Sequence, residues 1–451
     1  ADTLLNNLQM NQISVTMYRR YAPEYNVSSI IIWALGVFVA ATAAWMSSGE
    51  YRYATKYELL NQSSETDGDT RALSQNGTHE YEKVANNNSS GAILPPDESL
   101  ELGAAHAIGF IVFSAGGLLI LFYFKIYSVV KCLYAFGCSG AIFQVIFYPL
   151  FHRLAMKMNF RDKIAFTTDV LEVGSVSYVH LVAMVVSYGL GGVWMYISFT
   201  RHHPDSILFF WVMQDIMGAC MCIMFLSTMK VNSIQVAAVL LTAAFFYDIF
   251  FVFVTPYLTK GGKSIMVDVA TSGGPPKADP LWCEKYPDDK NCQGGDPLPM
   301  LFTIPRIGDF SGGSSMLGLG DIVLPGLLLS FASRYDEAKR LIGIGSRGGR
   351  PEIQSCASQK KGYLPPMVVA YAVGLAMANI AVYAMQMGQP ALLYLVPCCL
   401  GTMTYLGWKR GELHDLWHTP KVILACDEKL YGPLGDREGD GEASESSRVI
   451  T

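Results

Sequence analysis

The chain has 451 residues, of which 16% are charged and 51% are hydrophobic, and its formal net charge is −5. A typical soluble domain has about 25% charged residues. The composition therefore excludes a disordered chain, and the negative net charge argues against nucleic-acid binding. The 10 cysteines are too few for a disulfide scaffold. A large soluble core or a membrane protein remains.

Long runs without a charged residue distinguish these two classes. Gly362–Trp408 contains no Asp, Glu, Lys or Arg over 47 residues. One spanning helix needs about 20 apolar residues, so this run is long enough for two, with a turn near Gln386–Pro390. We therefore predict an all-α polytopic membrane protein. Its nine transmembrane helices are predicted at residues 28–48, 104–124, 130–151, 176–199, 206–229, 233–256, 315–333, 364–387 and 390–408.

An odd number of spans places the two termini on opposite sides of the membrane. With the N-terminus outside, the cytosolic segments contain 22 Lys and Arg residues and the other side contains 11. Basic residues favour the cytosolic side, so we expect a lumenal N-terminus and a cytosolic C-terminus. The segments are then a lumenal stretch 1–27, helices one to four over 28–199 with a polar loop 50–103, helices five to nine over 206–408 with a lumenal loop 257–308, and a cytosolic tail 409–451 with a disordered end.

Two features outside the spans leave alternatives open. The polar loop contains four Asn-X-Ser/Thr sequons, which are typical of a lumenal glycoprotein, whereas the charge count places this loop in the cytosol, where they would stay unmodified. The sequons begin at Asn61, Asn76, Asn87 and Asn88. In the lumenal loop, Cys283 and Cys292 either form a disulfide or remain two unpaired thiols.

Three aspartates interrupt the apolar runs. A charge at the bilayer centre costs about 2.5–3.5 kcal/mol on insertion scales, so an intramembrane Asp indicates a function. Asp248 follows the predicted start of span six by about 15 residues, and Asp321 precedes the end of span seven by about 13, which places both about 20 Å from the same membrane face. Asp215 lies near the opposite end of span five, so we interpret it as a packing residue or a supporting partner.

A pair of carboxylates at equal depth suits two functions. Two such groups in one pocket do not ionise together easily, so one serves as base and the other as acid. The base takes a proton from the water that attacks a carbonyl, and the acid supports the developing oxyanion, with no metal or other cofactor. The same pair would also suit a proton- or ion-coupled transporter, although the two halves show none of the internal repeats usual in carriers.

The residues around the two aspartates form recognisable motifs. Gly318 and Gly320 let backbone or substrate approach Asp321 closely, and Pro325 removes a helix donor four residues later. Pro390 opens span nine at a helix start, where its missing N–H is harmless. The three motifs, in chain order, are Tyr247-Asp248, Gly318-Leu319-Gly320-Asp321 and Gln389-Pro390-Ala391-Leu392.

Together, these motifs resemble the GxGD intramembrane aspartyl proteases, namely the signal peptide peptidases, their like-proteins and the presenilins. The likeness covers roughly residues 20–420 and favours the signal peptide peptidase branch; the subfamily stays open. The resemblance implies a nine-helix presenilin-like bundle with Asp248 and Asp321 as the catalytic pair. The residues that would shape the site or bind substrate are Tyr247, Gly318, Gly320, Gln389, Pro390, Ala391 and Leu392.

The resemblance also implies the partners and the location. Substrates would be transmembrane helices of type II membrane proteins, including signal-peptide remnants, cleaved among membrane lipids in the endoplasmic reticulum, Golgi, endosomes or lysosomes. A homo-oligomer is possible, and no nucleic acid is expected. Because a helix hides its scissile carbonyl, we hypothesise that an unwound substrate segment pairs with backbone near Ser264–Val269 and Gln389–Leu392.

Overall fold

Helices form at each predicted span, as far as the structure describes the chain. The computed structural model describes residues 27–66, 100–124, 126–158, 164–168, 174–200, 208–258, 269, 299–306, 314–345, 362–385 and 389–431. The helices are α1 (Val27–Ser47), α2 (Gly49–Thr66), α3 (Ala104–Phe124), α4 (Tyr127–Lys157), α5 (Tyr178–Thr200), α6 (Leu208–Thr228), α7 (Ile234–Leu258), α8 (Leu319–Gly345), α9 (Leu364–Met385), α10 (Leu392–Arg410), α11 (Leu413–Trp417) and α12 (Lys421–Tyr431).

Six helices of the described chain are long and apolar enough to cross a membrane, and they are α1, α4, α5, α6, α7 and α9. The protein is therefore a mostly helical, polytopic membrane protein. The apolar part of α3 is shorter, at Ile108–Phe124. Helix α8 carries charged residues in its first turn and in its second half, and α10 carries them in its last turn. The total of nine spans stays a prediction.

The fold is not entirely helical, contrary to the prediction, because three short two-stranded sheets join the helices. The parallel pair β1–β4 and the antiparallel pairs β2–β3 and β5–β6 lie in connections between spans. The strands are β1 (Leu100–Leu102), β2 (Ile164–Thr168), β3 (Gly174–Ser177), β4 (Met229–Val231), β5 (Leu301–Pro305) and β6 (Ser314–Gly318).

The hairpin β5–β6 changes the predicted limits of span seven. Residues 315–318 belong to a strand rather than to a helix, because they pair with β5 in the register Leu301↔Gly318 to Pro305↔Ser314. Helix α8 therefore begins at Leu319 and continues to Gly345, twelve residues past the predicted end at 333. The hairpin leads directly into the turn of helix that carries Asp321.

Two of the prolines inside the spans follow a π-turn, and the helix continues past each of them. The predicted span six ends at residue 256, whereas α7 continues past Pro256 to Leu258 through a π-turn at Phe250–Val254. The same arrangement precedes Pro149, where α4 has a π-turn at Phe143–Phe147. A proline removes one N–H donor and its ring crowds the carbonyl four residues earlier, and a wider turn relieves both.

Part of the loop predicted at 50–103 is helical, since α2 continues from α1 with only Ser48 between them. Tyr51 and Ala54 of α2 are buried against the core. The predicted tail also contains helix: α12 packs on α8, where Cys426 Sγ lies 3.4 Å from the Ala338 carbonyl oxygen. Tyr51 donates to Asp427 over 2.6 Å, which joins α2 to α12. Sequence patterns missed both helices because their apolar faces are short.

The main core lies where α1, α7, α8, α9 and α10 meet. Gly374 lets α9 and α10 approach closely, because a Cβ there would lie 3.2 Å from the Leu395 Cα. A second cluster joins α4, α5 and α6 around Trp194, whose ring stacks on Phe210 with centroids 5.7 Å apart. The candidate site lies in the main core, at the end of the bundle that carries the β5–β6 hairpin.

Candidate active site

Asp248 lies in the last regular α-helical turn of α7, just before the π-turn. The helix begins after Ser233, whose Oγ accepts from the Val236 N–H over 3.3 Å and caps the first turn. The Asp248 side chain is only 3% exposed, and its Oδ2 has no hydrogen-bond partner among the described residues. A buried carboxylate oxygen without a hydrogen-bond partner is costly.

Asp321 lies in the first turn of α8, directly after β6. The backbone N–H of Gly318 interacts with its carboxylate. A Cβ at Gly318 would lie 3.1 Å from the Asp321 Oδ2, so any other residue here would crowd the carboxylate. Gly320 differs, because a Cβ there would meet nothing within 4 Å. The first glycine therefore makes room for the carboxylate, and the second leaves open space beside it.

The structure brings the two predicted carboxylates together from α7 and α8. They lie close enough for their negative charges to repel each other. The Asp248 carboxylate also interacts with the backbone N–H of Leu392, the first residue of α10. Helix N-termini carry partial positive charge from their unpaired N–H groups, and each carboxylate lies beside one. These N–H groups offset part of the cost of burying the two carboxylates.

The segment Gln389–Leu392 contributes through its backbone. Pro390 is buried, and its carbonyl oxygen accepts from the Leu393 N–H over 3.2 Å, which closes the turn into α10. The Gln389 Nε2 is buried and has no partner within the part of the chain that the structure describes. The predicted motif therefore contributes the backbone N–H of Leu392 as a donor to Asp248, and the buried amide of Gln389 lies just before α10.

Tyr247 lies beside an apolar cavity between α3 and α7. Its hydroxyl interacts with Ser114 of α3, and its ring centroid lies 4.7 Å from that of Phe251. The cavity has a volume of about 530 Å³ and opens to the outside of the bundle. Its lining residues include Ile111, Phe246 and Val254. Tyr247 thus lines the apolar cavity and directly precedes Asp248 in the chain.

Sequence reasoning missed Tyr371 of α9, which is fully buried beside Asp321. Pro325 has no N–H to offer to the carbonyl of Asp321, four residues earlier. The Tyr371 hydroxyl donates to that carbonyl oxygen over 3.4 Å. The proline itself was a usable signal, because it predicts an orphaned carbonyl that needs a donor from another helix.

Asp215 and its neighbour Gln214 contact the hairpin rather than the two carboxylates. The Asp215 Oδ1 accepts from the backbone N–H of Thr303 over 3.0 Å. Gln214 donates to the Leu301 carbonyl oxygen over 3.3 Å. Asp215, which the sequence suggested as a packing residue or a supporting partner, therefore supports strand β5 of the hairpin.

Several predicted features cannot be placed in the structure. Among the described residues, no group of three or more His, Cys, Asp or Glu side chains could hold a metal ion. Asn61 belongs to α2, but its side chain is not described. The features outside the described residues are Asn76, Asn87, Asn88, Cys283, Cys292 and, except for Val269, the segment Ser264–Val269.

Comparison with known proteins identifies relatives across most of the chain. The sequence profile of the signal peptide peptidase family matches residues 95–422. The chain is 34% identical to signal peptide peptidase-like 3 of Arabidopsis thaliana over 72% of its length and 52% of the relative's. It is 31% identical to signal peptide peptidase-like 5 of Oryza sativa subsp. japonica over 93% and 66% of the respective lengths. Mouse signal peptide peptidase-like 2A is 34% identical over 46% of this chain and 34% of its own. The chain thus spans between half and two thirds of the two plant relatives.

Proposed function

Because this chain belongs to the signal peptide peptidase family, we propose that it is an intramembrane aspartyl endopeptidase with Asp248 and Asp321 as its catalytic pair. One observation carries the proposal: two carboxylates from adjacent helices meet inside the main core, and the Asp248 Oδ2 is buried without a partner among the described residues. A hydrolytic water bound between them would satisfy that oxygen.

The proposed mechanism requires the two carboxyl groups to be in different protonation states. One carboxylate is ionised and takes a proton from the bound water, which attacks the scissile carbonyl carbon. The other is protonated and donates to the carbonyl oxygen as it becomes an oxyanion. The C–N bond then breaks as the first carboxylate passes the proton that it took from water to the leaving amine, and the second carboxylate recovers a proton from a hydroxyl of the gem-diol as the new carboxyl group forms. The N–H groups of Gly318 and Leu392 hold the carboxylates in place throughout.

The substrate would be an unwound transmembrane segment of a type II membrane protein. A helix must open before hydrolysis, because its own hydrogen bonds cover each carbonyl. Among the described residues, β6 pairs with β5 alone, and its other edge is a suitable receptor, since backbone groups at an unpaired strand edge accept another strand. Met316 lies on β6 with 45% of its surface exposed, two residues before Gly318. A strand paired there would lead to Asp321.

The apolar cavity between α3 and α7 is our proposed route of entry from the lipid. It is lined by Ile111 and Phe246 and adjoins Tyr247, next to Asp248. An apolar substrate helix would lose little hydrophobic stabilisation on moving from lipid into such a groove. We further propose a lumenal N-terminus, a cytosolic C-terminus and a location in the secretory or endosomal system.

The decisive experiment is a cleavage assay with purified protein in detergent and a peptide that contains a type II transmembrane helix. We expect new peptide ends by mass spectrometry, and we expect them to vanish with Asp248→Ala and with Asp321→Ala. Asp427→Ala, which removes a carboxylate remote from the site, is the matched control and should retain cleavage. A carrier that uses the same aspartates would give no new ends, and that result would overturn the proposal.

A further inference from the structure

The hairpin β5–β6 has two edges, and side chains of α6 already occupy one of them. In an antiparallel pair, successive residues direct their N–H and C=O groups to opposite edges. The Leu319 N–H donates to the Met300 carbonyl oxygen across the hairpin over 3.3 Å. Leu301 and Thr303 therefore direct their backbone groups away from β6, towards α6.

Two neighbouring side chains of α6 meet these outward groups. Asp215 accepts from the Thr303 N–H over 3.0 Å, and Gln214 donates to the Leu301 carbonyl oxygen over 3.3 Å. Gln214 also donates to the Thr303 Oγ1 over 3.2 Å. Gln214, Asp215 and Thr303 are all buried. The pair thus reproduces, with side chains, the hydrogen bonds that an adjacent strand would make to β5.

We propose that Gln214 and Asp215 are positioning residues that hold β5 and so leave β6 as the edge for an incoming substrate strand. The inference deepens the proposed function and rests on it. The hairpin continues into α8 at Leu319, so a fixed β5 also fixes Gly318 and the Asp321 carboxylate. The carboxylate of Asp215 suits this task, because a charged acceptor binds a backbone N–H more strongly than a neutral one.

The inference predicts a change in where the substrate is cut. A strand that slips by two residues keeps the same side chains facing the same way, whereas a slip of one residue turns each to the other face. With Asp215→Leu, we therefore expect additional product ends two residues from the main cleavage position. We also expect KM to rise by about tenfold, the equivalent of one charge-assisted hydrogen bond.

Three variants test whether the Thr303 contact is responsible. Asp215→Asn keeps an oxygen acceptor and should restore the single cleavage position. Thr303→Pro removes the donor but leaves the ladder to β6 intact, because this N–H points away from β6, and it should reproduce the pattern of Asp215→Leu. The double variant Asp215→Leu/Thr303→Pro should change the product ends and KM no more than either single variant does, because both changes remove the same hydrogen bond. Unchanged product ends in Asp215→Leu would overturn the inference.

A control and a second measurement separate this inference from the proposed function. Ser187→Ala removes a buried hydroxyl of α5 that donates to Ala183 over 2.9 Å, and it should alter neither product ends nor KM. Hydrogen–deuterium exchange at residues 301–305 and 314–318 should accelerate in Asp215→Leu and not in Ser187→Ala. If the wild type makes no product, the proposed function fails, and unchanged exchange would still overturn the positioning role.

Discussion

The hydroxyl of Tyr371 replaces the helical donor that Pro325 withholds from the carbonyl oxygen of Asp321. The hydroxyl lies 3.4 Å from that oxygen and comes from α9, whereas the proline and the aspartate share α8. The relationship ties the backbone of one proposed catalytic residue to a helix outside the catalytic pair. Its loss should disturb Asp321 without touching the carboxylate itself.

Tyr371→Phe should therefore lower kcat for peptide cleavage. An unsatisfied buried carbonyl costs about 1–3 kcal/mol, so a loss of roughly tenfold is expected if the strain is relieved by movement of the first turn of α8. The matched rescue is Tyr371→Phe combined with Pro325→Ala, which returns an N–H to the Asp321 carbonyl. Failure of the second change to recover activity would show that Tyr371 acts in another way.

Gly318 and Gly320 should respond differently to alanine. In Gly318→Ala, the new methyl group would lie 3.1 Å from the Asp321 Oδ2 and displace the carboxylate. Because small misplacements of reacting groups are costly, kcat should fall by about tenfold to a hundredfold. In Gly320→Ala, the methyl group points into open space, so the thermal unfolding temperature should stay unchanged. KM should rise, because the bound substrate would contact the new methyl group. Steady-state kinetics would distinguish the two defects, and the reverse assignment would contradict this geometry.

Cleavage should accelerate when the substrate helix is weakened. Each glycine costs about 1 kcal/mol relative to alanine inside a helix. Two adjacent glycines next to the cleavage position, worth about 2 kcal/mol together, should thus raise kcat/KM by roughly thirtyfold if unwinding onto β6 precedes hydrolysis. The control peptide carries the same two glycines one helical turn beyond the cleaved segment. Equal rates for all three peptides would argue against an unwinding step.

Glu412 should stabilise the fold in a pH-dependent way. Partial burial alone would raise the pKa of Glu412, but hydrogen bonds from Lys339 and from Tyr363 (2.7 Å) outweigh burial and lower that pKa overall. Its contribution to stability is then complete above the usual glutamate pKa of about 4.3 and is lost as the pH falls through the lower folded value.

Thermal unfolding of Glu412→Gln in detergent tests this linkage. At pH 7 the variant should unfold at a lower temperature than the wild type, and the difference should shrink as the pH falls below about 4. Glu428→Gln changes an exposed glutamate of α12 and should match the wild type at both pH values. A difference for Glu412→Gln that persists undiminished in acid would assign its effect to packing.

The sequence predicted the features that depend on a single helix. Charge-free runs predicted where the helices lie, and residue counting placed Asp248 and Asp321 at a common depth, where the structure brings them together. Features that depend on pairing between distant segments were not predicted. The register Leu301↔Gly318 is one example, and the helix α2 is another. Neither β5 nor α2 has a strong local pattern, because each is stabilised by the surfaces on which it packs.

The open edge of β6 has a consequence for what this protein can distinguish. Gly318 has no side chain, and the groups offered near it are main-chain N–H and C=O, which every polypeptide shares. Selectivity among substrates would then depend on how readily the substrate helix unwinds and on how the ends of that helix are anchored. A comparison of cleaved sequences should accordingly reveal no consensus of residue types, only a shared weak point in an otherwise ordinary hydrophobic stretch.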